Sequence, residues 1–239
     1  MVSVVIPAFN EVGTIADVIA CALQHPWIDE VLVVDDGSSD STAQVAEAAG
    51  ACVIRLDRNV GKAAALDAGV RSAKASTLLF LDADVTGHTQ QTLSRIMQPV
   101  IDGQFEMNVG LRARSTLILN RLLRFFPIIG GDRALTRRLW EAIPADSVSG
   151  FEIEIALNYT SKRFDKGMGF ELVHGTAHRI KERKYGVGIG VARRLVMIGH
   201  VLSISFRLYI LDRINRGAVR IKARITAMVR ASRVISMFR

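Results

Sequence analysis

At 239 residues, 49% hydrophobic and 23% charged, the chain has the length of one or two domains and a globular composition. That excludes a disordered or collagen-like polymer. The formal charge of +8 sits at one end: residues 213–239 carry eight basic residues and no acid, and the other 23 basic residues balance the 23 acids, which argues against a nucleic-acid-binding body.

In chain order, Val2–Ile6 reads as a β-branched strand, and Pro7-Ala8-Phe9-Asn10 as a turn into an amphipathic helix at Val12–Leu23. Glu30–Val34 is a second strand ending in Asp35-Asp36-Gly37-Ser38, and the next helix opens with Ser41 and Gln44 at capping-box spacing. Ala51–Leu56 is a third strand, Asn59–Ala73 a third helix, and Thr77–Leu81 a fourth strand closed by Asp82-Ala83-Asp84. Strand runs without polar alternation are buried on both faces, and intervening helices make right-handed crossovers. The expectation is a doubly wound, mostly parallel α/β sheet with its ligands at the carboxyl ends of the strands. Later elements are a strand at Phe105–Val109, an arginine-interleaved apolar stretch at Leu111–Ile129, helices at Arg133–Ile143 and Phe151–Phe164, and a strand at Phe170–His174. From Arg193 onward the pattern is helical, with a break expected at Gly217. Cys21 and Cys52 read as buried free thiols of a reducing compartment, and the absence of a leader before Val2 points to the cytosol. The apolar window Leu195–Phe206 is shorter than the ~20 residues of a spanning helix.

Polar groups gather where the strands end: Asn10, Asp35 and Asp36, Asn59–Lys62, and Asp82 with Asp84. Two carboxylates one residue apart after a buried strand suit Mg²⁺ or Mn²⁺ bridging to a phosphate. Asn59-Val60-Gly61-Lys62 brings a cation and a glycine to the same rim but lacks the P-loop pattern, and no Gly-x-Gly-x-x-Gly follows the first strand. An ATPase and a nicotinamide dehydrogenase are thereby excluded.

The blocks VSVVIPAFNE (Val2–Glu11), VVDDGS (Val33–Ser38), NVGKAAALDAG (Asn59–Gly69) and LFLDAD (Leu79–Asp84) resemble glycosyltransferase family 2 over roughly the first 85 residues. The resemblance is closest in kind to the polyprenyl-phosphate and lipid glycosyltransferases. It implies a GT-A fold, a nucleotide-sugar donor, and inverting transfer with Mg²⁺ or Mn²⁺. By the same resemblance, Pro7, Phe9, Glu11, Asp36, Lys62 and Asp82 belong to the donor site, Asp36 bonding the base. Asp84 and Asp82 match the family's Asp-x-Asp, Asp84 as the metal ligand, with His178 as a late third ligand of the kind found in glucosyl-3-phosphoglycerate synthases. The catalytic base of the family is an acid at a helix start; Glu152, in Gly150-Phe151-Glu152-Ile153-Glu154, is its counterpart, although the family's Glu-Asp pair is absent, and either Glu152 or Glu154 also fits a plain helix-start acid. Arg133, in Gly130-Gly131-Asp132-Arg133, falls in a loop region that contacts the acceptor, either holding a phosphate or lying on the surface.

In the tail, Ile214, Ala218, Ile221, Ile225, Met228, Ser232 and Ile235 make an apolar stripe among arginines, which fits an anionic membrane surface. A packing seam with a second copy is the alternative. The reading is a GT-A catalytic domain at 1–192, with a nucleotide-sugar half (1–85) and an acceptor half (86–192), followed by a basic helical tail at 193–239. Such an enzyme moves a hexose from a UDP-sugar, or a GDP-sugar, to a lipid or polyprenyl-phosphate acceptor on the cytosolic membrane face, without nucleic acid. The rivals are a soluble transferase acting on a small acid such as glycerate, with a dimerising tail, and an inactive nucleotide-sugar-binding recruiter.

Overall fold

Strands without polar alternation need cover on both faces, and in the computed structural model, which describes residues 1–112, 132–143 and 152–178, they obtain it. Four of them, β1 (Val2–Ala8), β2 (Ile28–Asp35), β3 (Cys52–Arg55) and β4 (Thr77–Phe80), lie parallel in the order β3-β2-β1-β4. They are linked by helices α1 (Ile15–Leu23), α2 (Thr42–Ala48) and α3 (Lys62–Ser72). After the short strand β5 (Val85–Thr86) and helix α4 (Gln90–Ile101), the sheet continues with β6 (Met107–Arg112), β7 (Arg133–Thr136) and β8 (Met168–Val173), in the order β3-β2-β1-β4-β7-β6-β8. Strand β7 is antiparallel to both of its neighbours, whereas β6 and β8 are parallel. Helices α5 (Arg137–Glu141) and α6 (Glu152–Ser161), with β9 (Ala177–His178) paired to β5, complete the described elements.

The period of two along each strand divides the core into two layers. Val4, Ile6, Val31, Val33 and Leu79 pack with Ile15 and Ile19 of α1 and with Leu93, Ile96 and Met97 of α4. Val5, Leu32, Val34, Leu78 and Phe80 face the other way, onto Leu66 and Val70 of α3 and Ile153 and Leu157 of α6. Gly69 lets α3 approach closely, since a Cβ there would stand 2.4 Å from Val5 Cγ1 and 3.0 Å from Val34 Cγ2. The last glycine of the NVGKAAALDAG block therefore sets the distance between helix and sheet.

Four sequence readings are corrected. Arg133–Ile143 is not one helix: Arg133–Thr136 fills the sheet between β4 and β6, and the helix begins only where Thr136 Oγ accepts from Leu139 N–H at 3.3 Å. Strand pairing overrides the helical propensity of Ala134 and Leu135. Helix α3 starts at Lys62, three residues late, because Val60 and Gly61 are held from outside by Asp36. At α2, Ser41 occupies the N-cap but its side chain makes no cap bond; Thr42 Oγ instead accepts from Glu11 N–H at 2.9 Å and bonds Asp40. Cys52 is exposed, because β3 is an edge strand, and Cys21 is half-buried. The Leu111–Ile129 stretch beyond Arg112 and everything from Arg179 onward, the tail included, lie outside the described residues. Among the described residues no helix is long and apolar enough to cross a membrane.

One buried acid just before β6 ties β7 to α5. Glu106, 1% exposed, accepts from Thr136 Oγ at 2.7 Å and from Arg138 Nε at 2.8 Å, with a further bond from Arg138 Nη2. The Arg138 bond holds its carboxyl below the usual glutamate pKa; burial opposes this and Thr136 assists. A depressed folded-state pKa gives stability that is present above the unfolded value of roughly 4.3 and is lost as pH falls through the folded value. Glu106→Gln is expected to lower unfolding free energy at pH 7 by about 1–2 kcal/mol, toward the low end because Arg138 is largely in solvent. Urea titrations should show that deficit shrinking below about pH 4, whereas a pH-independent difference would indicate lost packing instead.

Candidate active site

The rim at the strand ends is built from loops tied to one another. Asn10, the one non-glycine residue at positive φ among those described (57°), accepts from Ser39 N–H at 2.8 Å, and its own N–H donates to Ser38 Oγ at 2.9 Å. Asparagine tolerates this left-handed conformation better than most residues. Asp36, 4% exposed, receives Val60 N–H at 2.8 Å on one oxygen and Gly61 N–H at 2.9 Å on the other. Gly37 has φ +72°, and a Cβ on it would come within 2.6 Å of the Arg58 carbonyl carbon, so this crossing of loops needs glycine. Pro7 is half-buried in β1 opposite Val34, Glu11 is half-buried after it, and Phe9 is 43% exposed at the strand end.

Beside that rim lies a chain of alternating charges. Lys62, the first residue of α3, donates from Nζ to Asp82 Oδ1 at 2.8 Å and to Glu154 Oε1 at 3.0 Å. Arg133 Nη2 stands 3.8 Å from the other Glu154 oxygen, with side-chain exposures of 1% for Arg133 and 7% for Glu154. Asp132 Oδ1 accepts from Asp82 N–H at 3.2 Å, and Asp132 Oδ2 meets His88 Nε2 at 3.2 Å. Burial works against the Lys62 ammonium, but Asp82 and then Glu154 outweigh it, and its pKa rises above the ordinary lysine value. For Arg133 burial prevails and the pKa falls, although Glu154, Asp82 and Asp132 resist.

Of the residues singled out in the sequence, Asp82 and Lys62 meet directly. Asp84 follows one buried alanine later, half-buried in the same turn. His178 lies on β9 with its backbone in register with Val85, the residue after Asp84. Among the described residues no three metal-ligating side chains converge on one point. The donor chemistry nevertheless fits a hard divalent cation: two carboxylates in one turn, and a histidine at the adjoining register position. Arg133 departs from its expected place, since it lies on a strand and not in an acceptor loop, too buried to reach a phosphate from the surface. Glu152 is the first residue of α6, and it is Glu154, two residues later, that enters the charged chain. Glu154, Asp132 and His88 escaped the sequence reading as site residues. Asp132 had a signal, being part of the Gly-Gly-Asp-Arg run, and His88 had none.

Removing one member of this network leaves buried carboxylates uncompensated, which costs about 3–5 kcal/mol in comparable buried pairs. Arg133→Met should therefore lower the urea midpoint strongly, and adding Glu154→Gln should restore part of the loss. A double-mutant cycle measures this, and strict additivity would show that the two side chains are not coupled.

Residues 3–142 match the model of the family described as Glycosyl transferase family 2. Similar curated proteins include the undecaprenyl-phosphate 4-deoxy-4-formamido-L-arabinose transferase of Pseudomonas fluorescens, 38% identical over 96 residues, covering 35% of this chain and 28% of that protein. Glycosyltransferase AglJ of Haloferax volcanii is 31% identical over 172 residues, 64% of this chain and 55% of its own. The chain thus spans about half or less of the length of these relatives. A crystal structure of glucosyl-3-phosphoglycerate synthase from Mycobacterium tuberculosis, in complex with Mn²⁺, UDP and glucosyl-3-phosphoglycerate, superposes with a TM-score of 0.69 at 24% identity, covering 85% of this chain and 79% of that one. This likeness shows the fold, a GT-A sheet.

Proposed function

The chain belongs to glycosyl transferase family 2, and on that footing we propose that it moves a hexose from a nucleotide sugar to a lipid or lipid-phosphate acceptor at the cytosolic face of a membrane. The observation that carries the reading is the convergence of four parallel-strand ends on one rim, with the Asp82-Ala83-Asp84 turn beside Lys62. The donor is a UDP-sugar in the favoured form and a GDP-sugar in the alternative. The exposed Phe9 ring offers a face for the base, with Pro7 and Glu11 flanking it. Asp36 serves the base indirectly as well, through the Val60–Gly61 backbone that it holds.

Asp82 and Asp84, with His178, are the residues that would hold Mg²⁺ or Mn²⁺, which when bound offsets the negative charge developing on the departing diphosphate. Lys62 has three N–H donors; Asp82 and Glu154 take two, and the third is available to the same diphosphate. Glu154, with one oxygen on Lys62 and the other facing Arg133, keeps Lys62 in place. Glu152 at the start of α6 is then the base when the acceptor is a hydroxyl. A lipid phosphate is already an anionic nucleophile and needs no base, which agrees with the missing Glu-Asp pair. The name of the Pseudomonas fluorescens relative supports that acceptor class. The soluble alternative, transfer to a small acid such as glycerate, draws on the likeness to the Mycobacterium tuberculosis synthase, which extends to the fold alone.

The test is transfer from radiolabelled UDP-hexose, in Mn²⁺, to polyprenyl phosphate in vesicles or to 3-phosphoglycerate in solution. Product in the lipid phase is expected, and product only in the aqueous phase would establish the soluble alternative. Asp84→Ala should abolish transfer while leaving the fold intact, because a half-exposed turn acid adds little to packing. A folded Asp84→Ala protein with normal turnover would exclude the metal assignment.

Residues 193–239 form, in this reading, a basic appendage on the anionic lipid surface, each cation there being worth about 1 kcal/mol and screened by salt. Deleting residues 213–239 should release the protein from phosphatidylglycerol vesicles while UDP-sugar binding persists. Continued co-sedimentation would exclude the membrane role, and loss of a dimer without any vesicle binding by the full chain would establish the packing seam.

A further inference from the structure

We propose that Asp132 and His88 are a positioning pair that fixes the backbone of the Asp82-Ala83-Asp84 turn, so that its two carboxylates present a set geometry to a divalent cation carrying a nucleoside diphosphate. The inference rests on the glycosyltransferase reading above and adds two residues to it.

The β4–β7 ladder runs from Thr77 opposite Thr136 to Phe80 opposite Arg133 and ends there. Just beyond that end the chain must leave the sheet to form the acidic turn, and the Asp82 N–H needs a partner. The Asp132 carboxylate supplies it at 3.2 Å, a side chain standing in for the next residue of the ladder. Asp132 is itself anchored to the sheet, its carbonyl accepting Gly110 N–H at 3.0 Å. Its outer oxygen meets His88 Nε2 at 3.2 Å, and both side chains are 2% exposed. A carboxylate only accepts, so the imidazole proton belongs on Nε2; Nδ1 is buried with no hydrogen-bond partner among the described residues. His88 stands between β5 and the Thr89 cap of α4, whose hydroxyl accepts from Thr92 N–H at 3.1 Å. The pair therefore ties three things together: the start of β7, the first residue of the acidic turn, and the entry to α4. Partners one step removed from a metal site orient its ligands, and losing one costs about 10–100-fold in metal affinity.

The experiment compares full-length wild type, Asp132→Ala, Asp132→Asn and His88→Ala. Asparagine preserves both bonds, its amide oxygen accepting Asp82 N–H and its amide N–H donating to His88 in the other tautomer. Amide hydrogen exchange over residues 82–85 in the ligand-free protein should speed up in Asp132→Ala and stay near wild type in Asp132→Asn. Calorimetric titration of UDP in the presence of Mn²⁺ should weaken about tenfold in Asp132→Ala. Asp132→Asn should bind close to wild type. A folded Asp132→Ala with wild-type exchange and binding would overturn the proposal. So would an Asp132→Asn as impaired as the alanine variant, since charge and not geometry would then be responsible. If Asp132→Ala does not fold, His88→Ala decides: weaker Mn²⁺–UDP binding is expected, and wild-type binding overturns the pair. Wild-type protein that binds no UDP with Mn²⁺ under any condition would instead remove the functional reading on which the pair depends.

Discussion

Asp82 and Glu154 are like charges drawn together from distant parts of the chain, and the cations between and behind them offset their repulsion. Lys62 bridges the two, and Arg133 meets Glu154 from the buried side. Because Lys62 opens α3, Asp82 follows β4, Arg133 begins β7 and Glu154 lies in α6, this neutralisation aligns four elements at once. The Lys62–Glu154 contact closes a loop of 92 residues, so it forms only after the sheet has brought both ends together. The site and the fold share one electrostatic balance.

Steric constraints place that balance at the rim. Gly69 draws α3 onto β1 and β2, which carries Lys62 at its N-terminus down to the strand ends. Gly37 lets the turn after β2 press against the Arg58–Asn59 backbone, bringing Asp36 within reach of Val60 and Gly61. Neither glycine carries a side chain, yet both determine where the charged residues stand.

The first 85 residues were legible because their signals are local. Buried strands write themselves as unbroken apolar runs, and each ends in a polar cluster at the rim, so the parallel sheet and the acidic turn follow from reading along the chain. What escaped depends on contacts between distant segments. Arg-Ala-Leu-Thr at 133–136 carries no strand signature and becomes one because β4 and β6 leave a place between them. Glu154 was indistinguishable in sequence from Glu152, and only the arrival of Lys62 singles it out. His88 has a role solely through Asp132, 44 residues away, and no spacing rule connects the two. Cys52 looked buried because its neighbours are apolar, but an edge strand leaves one flank open.

The lacing of the strand-end loops bears on how members of this family change over evolutionary time. Asn10 grips Ser38 and Ser39, Glu11 grips Thr42, and Asp36 grips Val60 and Gly61, so three loops from three strand ends behave as one rigid part. Substitutions within such a part do not act independently. Under the nucleotide-sugar reading proposed above, a change of nucleotide preference introduced in one loop alone disturbs the other two before it improves any contact with the new base. On that reading, adaptation on this side proceeds by linked substitutions or hardly at all, and variation in the acceptor falls to segments that are not bound into the lattice of loops.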